Sequence, residues 1–209
     1  MNVAKHGLLI LGNQLVPLQT LTERLPDSGT GFTVFMAEDP AFCRHYKYHQ
    51  QKLVLMLASM RHYADELRNA GFDVHYQQLD TQAVCFEARL QDWIKRTELV
   101  GLWHLEIESK PLQSRLQKCC ADLDLPLNEI QTPMFLCSRD EFAHFVTQGK
   151  TLQMARFYKQ QRLRLGILVD ADGQPQGGQW SFDAENRKKV TKRCNATRSH
   201  GGATKYASA

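Results

Sequence analysis

Hydrophobic residues along this chain fall either in short unbroken runs or at three- and four-residue spacing. The run Leu8-Leu9-Ile10-Leu11, closed by Gly12, predicts a strand covered by helices above and below, because only such a strand carries apolar side chains on both faces. Phe32 to Met36 repeats the pattern, and so does Leu99 to Leu105 around the small Gly101. Shorter runs at Phe72 to Tyr76 and Leu127 to Gln131 complete a set of five expected strands.

Helical spacing fills the gaps. His45 to Ala70 predicts one long helix with Leu53, Met56, Leu57, Met60, Ala64 and Leu67 along one face, stopped by Gly71. A second helix is expected from Ala83 to Ile94, presenting Phe86, Leu90, Trp93 and Ile94. A third opens at Pro111, a residue suited to a first helical turn, and uses Leu112, Leu116 and Cys120. Ser138 and Glu141 have the capping-box spacing ahead of Phe142 and Phe145. A fifth helix, Met154 to Leu165, sets Phe157 and Tyr158 beside Arg156, Lys159, Arg162 and Arg164. Strands alternating with helices imply right-handed crossovers, hence an α/β fold with a Rossmann-like five-stranded parallel sheet and helices on both faces. We expect an α/β domain over residues 1–150, a helix and turn-rich linker over 151–189, and a disordered basic tail over 190–209.

Composition adds little to this outline, except in its distribution. The chain has 209 residues, 43% hydrophobic and 23% charged, which is ordinary for a globular domain. The net charge of +4 hides an asymmetry: acidic residues outnumber basic ones as far as Gly149, and Lys and Arg dominate from Lys150 onward. That basic end suits either a polyanion or a solvated helix face and tail. Six cysteines occur without a CxxC pair or zinc-spaced histidines, so we expect free thiols in a reducing cytoplasm and no metal site. No apolar run is long enough to span a bilayer.

In open α/β sheets a ligand sits beyond the carboxyl ends of the strands. The residues there are Gly12-Asn13-Gln14-Leu15 after the first strand and Ala37-Glu38-Asp39 after the second. Glu106 and Glu108 follow the fourth strand, and Thr132-Pro133-Met134 the fifth. Neither GxGxxG nor a P-loop is present, which disfavours dinucleotides and triphosphates. Amides and carboxylates suit a polar heterocycle or a ribityl-type chain instead. The histidines are scattered, and no GxSxG elbow or HExxH helix occurs, so no catalytic residue is assigned. His62, Trp93, Trp103 and Trp180 are read as packing residues.

Taken together, several segments resemble the N-terminal domain of deoxyribodipyrimidine photolyase-related proteins, the iron–sulfur bacterial cryptochromes and (6-4) photolyases. The segments are Leu9-Ile10-Leu11-Gly12-Asn13-Gln14-Leu15, Met36-Ala37-Glu38 and Met60-Arg61-His62-Tyr63-Ala64-Asp65-Glu66-Leu67. Further along come Phe157-Tyr158, Gly166-Ile167-Leu168, and the stretch from Pro175 to Arg187. The resemblance implies light-driven repair of pyrimidine (6-4) photoproducts, with FAD and a [4Fe–4S] cluster in a C-terminal helical domain. It also implies a 6,7-dimethyl-8-ribityllumazine antenna in the α/β domain, held by Gly12, Asn13, Gln14, Leu15, Glu38 and the helix around Met56. Sheet geometry adds Glu106 to that set.

Two departures accompany the resemblance. Relatives commonly carry Asp where this chain has Asn13, which keeps hydrogen bonding and removes a charge. The helical domain is expected soon after Arg187, where Val190 to Ala209 stand instead, so a truncated or frame-disrupted product is expected, inactive in repair alone. UV-damaged DNA is then a partner of the full-length family, and this chain is expected to be a monomer with weak or no DNA binding and no membrane contact. The competing expectation is a nucleic-acid-binding module built on Arg156, Lys159, Arg162, Arg164 and the tail.

Overall fold

The computed structural model describes residues 5–79, 84–148 and 152–183, and these divide into two units after Ser138. The first unit runs β1 (His6–Leu9), α1 (Leu18–Thr22), β2 (Phe32–Ala37), α2 (Pro40–His45), α3 (Gln50–Asn69), β3 (Asp73–Gln77), α4 (Phe86–Thr97), β4 (Gly101–Leu105), α5 (Lys110–Ala121) and β5 (Leu127–Ile130). The strands form one parallel sheet in the order β3-β2-β1-β4-β5. The chain starts at the centre, winds outward to β3, then returns to place β4 on the other side of β1. The direction of winding therefore reverses between β1 and β4, which is where such sheets open a crevice.

Alternate side chains of the central strands explain the unbroken apolar runs. Leu8, Ile10, Val34 and Met36 face one layer, where α3 contributes Met60, Tyr63, Ala64 and Leu67. Leu9, Phe35 and Leu102 face the opposite layer, where α4 contributes Leu90, Trp93 and Ile94 and α5 contributes Leu116, Cys119 and Cys120. The expected α/β sheet with helices on both faces is the observed architecture.

Element ends differ from the sequence reading where side chains compete with the helix. The long helix expected from His45 to Ala70 is α3, which begins only at Gln50; the unanticipated α2 ends at His45, and extended backbone separates the two. Asp39 caps α2 through Ala41 N–H at 2.8 Å, and His49 Nδ1 caps α3 through Gln51 N–H at 3.2 Å. Across the break Tyr48 stacks on Phe42 and meets Tyr46 edge to face. A ring-nitrogen cap and an aromatic cluster are invisible to apolar spacing, which is why the start of α3 was expected too early. At the far end of α3 the expectation holds: Gly71 has φ +93°, and Phe72 N–H bonds back to Leu67 O at 3.0 Å. That backward bond closes the helix as a glycine-terminated motif. The expected start of α4 at Ala83 lies outside the described residues, and the helix is described from Phe86.

The second unit holds α6 (Arg139–Thr147) and α7 (Met154–Leu165). The sequence reading carried the sheet domain on to residue 150, whereas the units divide so that α6 joins α7. Phe145 is buried, with the rings of Phe142 and Phe157 at 6.3 and 5.0 Å. Gly166 ends α7 in the left-handed conformation, and the segment beyond it turns back through a bridge between Val169 and Pro175. Buried Arg162 ties this turn down by donating to the carbonyls of Ile167, Leu168 and Trp180, while its guanidinium lies over the rings of Tyr158 and Trp180. The basic tail assigned to residues 190–209 lies outside the described residues.

Candidate functional site

The loop between β1 and α1 borders a cleft of about 740 Å³. Gly12, Asn13, Leu15, Val16 and Pro17 line it from the loop and Thr20 from α1. Met56 and Ser59 close it from α3, and Pro133 and Met134 from the segment after β5. Its walls are chiefly apolar, with the Asn13 amide and the hydroxyls of Thr20 and Ser59 as the polar exceptions. A parallel sheet dictates this position. The loop leaving β1 must rise over the carboxyl edge at the point where the winding reverses.

Two residues fix that loop. Gly12 presses against α3: a Cβ built there would lie 2.6 Å from Met60 Sδ, so any larger residue must displace the loop or the methionine. Gln14 is fully buried and does not line the cleft; its Nε2 donates to Glu106 O at 3.0 Å and Leu105 O at 3.4 Å. One amide thus spans from the loop after β1 to the end of β4. Asn13 donates from Nδ2 to Glu108 Oε2 at 3.2 Å, at the exposed side of the same loop.

Glu38 is also fully buried and outside the cleft lining, and its carboxylate takes hydrogen bonds from three residues. Arg61 of α3 grips it with Nε to Oε1 at 2.6 Å and Nη2 to Oε2 at 3.0 Å. Tyr76 of β3 donates its hydroxyl at 2.7 Å, and Leu79 its N–H at 2.8 Å. Arg89 of α4 donates to the Glu38 carbonyl at 3.0 Å. Burial alone would raise this carboxyl, but donation from Arg61, Tyr76 and Leu79 outweighs it and holds the group below the ordinary carboxylate range. The same contacts push the Tyr76 hydroxyl and the Arg61 guanidinium up, burial being the first cause for Tyr76 and the bond to Glu38 for Arg61.

Of the residues expected to hold a ligand, the cleft therefore brings together Gly12, Asn13, Leu15 and Met56. Gln14, Glu38 and Glu106 stand behind it. Glu106 is buried, with its N–H on Ile130 O at 2.8 Å and its carbonyl receiving Gln14. Pro133 and Met134, on the strand-end shortlist, also line the cleft, whereas Val16, Pro17, Thr20 and Ser59 were not anticipated. Helical spacing could have found Ser59, which follows Met56 by three residues on the same face of α3. The roles of Arg61 and Tyr76 carry no signal in the sequence, because an ion pair across elements leaves no local pattern.

The four cations of the competing nucleic-acid reading are engaged within their own unit. Arg156 donates to Phe145 O and lies over its ring, Lys159 lies over Trp180, Arg162 is spent on carbonyls, and Arg164 pairs with Glu141 at 2.8 Å. Among the described residues no group of three or more His, Cys, Asp and Glu is placed to hold a metal ion. No helix among them is long and apolar enough to cross a membrane.

Comparison with known proteins gives this arrangement its context. A (6-4) photolyase of Agrobacterium fabrum is 28% identical over 183 residues, which is 87% of this chain and 36% of that protein. The chain thus spans about a third of the length of that relative. Among solved structures, the universal stress protein from Archaeoglobus fulgidus in complex with dAMP is similar over 62% of this chain and 99% of its own. Its identity is 9% and its TM-score 0.37, too distant to inform the site. The deoxyribodipyrimidine photo-lyase-related family matches residues 8–204, from β1 through the segment set apart above as a tail. With nearly the whole chain matched, and with the parallel α/β sheet seen here, this protein belongs to the deoxyribodipyrimidine photo-lyase-related family.

Proposed function

We propose that this chain is the antenna-chromophore module of a light-driven DNA-repair protein of the photolyase type, with 6,7-dimethyl-8-ribityllumazine as the ligand of the cleft. The observation that carries the reading is the cleft at the reversal point of the sheet, apolar in its walls and furnished with one amide and two hydroxyls. Its volume lies within the range of pockets for small organic ligands, roughly 300–1,000 Å³. A planar ring needs apolar walls, which Leu15, Met56 and Met134 supply. A ribityl chain needs exchangeable donors and acceptors, which Asn13, Thr20 and Ser59 supply.

On this reading Glu38 and Gln14 are positioning residues. Glu38 anchors Arg61, two residues from Ser59, and so sets where α3 presents its side chains to the cleft. Gln14 holds the opposite wall to β4. FAD, a [4Fe–4S] cluster and the contacts to UV-damaged DNA are assigned to the remaining length of such a protein.

Titration of the purified chain with 6,7-dimethyl-8-ribityllumazine tests the assignment through the near-UV absorption and fluorescence of the ligand. We expect saturable binding, and at least about tenfold weaker binding by Met56→Lys, equivalent to about 1.4 kcal/mol. An unsaturable titration, or equal binding by the variant, refutes the cleft as the chromophore site.

A further inference from the structure

The polar groups around the cleft bear on which member of a ligand pair it accepts. Among the described residues, no Lys or Arg lines it. The backbone donors that could cradle an anion are mostly committed or missing: Gln14 N–H bonds to Leu11 O, Val16 N–H to Gln14 O, and Met134 N–H to Thr132 Oγ1. Pro17 and Pro133 carry no N–H at all. The helix that opens on the cleft, α1, has five residues and begins after Pro17, with no side-chain cap, so it offers no extended anion site. The charged group in contact with the cleft lining through Asn13 is instead a carboxylate: exposed Glu108 accepts from Asn13 Nδ2 at 3.2 Å.

We propose that Glu108 is a specificity residue. Steered by Asn13, it makes the cleft select uncharged, unphosphorylated ligands over their phosphate esters. The inference rests on the cleft being the chromophore site and deepens that reading by naming the ligand class as a free polyol rather than a nucleotide. A phosphate monoester carries nearly two negative charges, and a fixed carboxylate several ångströms away repels it without disturbing a neutral chain. Two such groups about 8 Å apart in a largely aqueous rim give a discrimination of roughly fivefold or more, reduced by salt. Asn13 itself contributes by being neutral, since its amide both lines the cleft and donates to the carboxylate.

The experiment compares 6,7-dimethyl-8-ribityllumazine with the same molecule esterified by phosphate at the 5′ end of its ribityl chain. Both are titrated into the chain at low and at high ionic strength, and again with Glu108→Gln. The amide oxygen of that variant still accepts from Asn13 while the charge is gone, and circular dichroism checks that the chain is folded. The expected result is weaker binding of the ester by about fivefold or more at low salt. The ratio should shrink at high salt and collapse toward one in Glu108→Gln. Equal affinities in the unaltered chain overturn the filter and leave the chromophore site standing. A ratio indifferent to salt or retained in Glu108→Gln means steric exclusion, and also overturns it. Failure of the unesterified ligand to bind overturns the chromophore assignment itself, and the filter with it.

Discussion

Replacing Gly12 by alanine tests the contact that shapes the cleft floor. The backbone at Gly12 is not in the left-handed region, so alanine meets no conformational penalty there, and the effect is one of packing alone. The new Cβ would stand 2.6 Å from Met60 Sδ, 3.2 Å from Cε and 3.4 Å from Cγ. Ordinary carbon–sulfur contact is near 3.7 Å, so the loop or the methionine must retreat by about 1 Å. Met60 is 2% exposed and sits in the core beneath α3, where it has little room to give. Overpacking of this kind costs about 1–3 kcal/mol, offset by about 0.4–1 kcal/mol from the stiffer unfolded chain. A net loss of about 1–2 kcal/mol is expected in urea denaturation followed by circular dichroism. Met60→Ala removes the obstructing atoms and leaves a void, at a cost of about 2–5 kcal/mol. In the double variant the added methyl enters that void, so the double loss should fall short of the summed single losses by about 1 kcal/mol or more. Strict additivity would refute the packing argument.

Glu38→Gln removes the buried charge and one of the two acceptor oxygens that serve Arg61, Tyr76 and Leu79, and should cost about 2 kcal/mol, less than for a fully buried pair because Arg61 is half-exposed and can return to water. Because the Glu38 carboxyl is held below its usual range, its stabilisation is complete above the ordinary carboxylate value and is lost as pH falls through the lowered one. Acid titration of stability should therefore be flatter in Glu38→Gln, and identical acid profiles would contradict the assignment. Arg162→Met removes the donor to three carbonyls, and proteolysis within residues 166–180 should accelerate by about tenfold or more. Among the described cysteines, exposed Cys85 should react first with a thiol reagent at pH 8. Buried Cys119 and Cys120 should stay inert in the folded chain, with the Cys120 thiol pushed up to about 12 by burial.

The central strands were legible in the sequence because burial on both faces writes itself as apolar runs, the partly exposed edge strands β3 and β5 showed only shorter, interrupted ones, and all five lie within a residue or two of β1 to β5. Those runs extend past the ladder at the ends, as Leu11 shows beyond β1, since apolar character marks burial and not hydrogen bonding. Half of the cleft was legible for a topological reason: residues just past Leu11 and Gln131 must lie at the carboxyl edge of a parallel sheet. The roles of Gln14 and Glu38 were not, because nothing local tells a polar residue facing a ligand from one tied to a distant carbonyl or guanidinium. The start of α3 was hidden likewise, since His49 acts there through a ring nitrogen and not through its hydropathy.

The amide of Gln14 has a consequence for motion. A surface loop over a sheet edge ordinarily drifts on the nanosecond scale. This one is anchored from inside by Gln14 on β4 and pinned from above by Met60 at Gly12, so the cleft wall is part of the rigid body of the sheet. Any ring seated between Leu15 and Met56 would then tumble with the whole protein, and its transition dipole would keep one direction in the molecular frame. Energy transfer to a second chromophore depends on such a fixed direction, and the time-resolved anisotropy of a bound dye, decaying only with overall rotation, would display it.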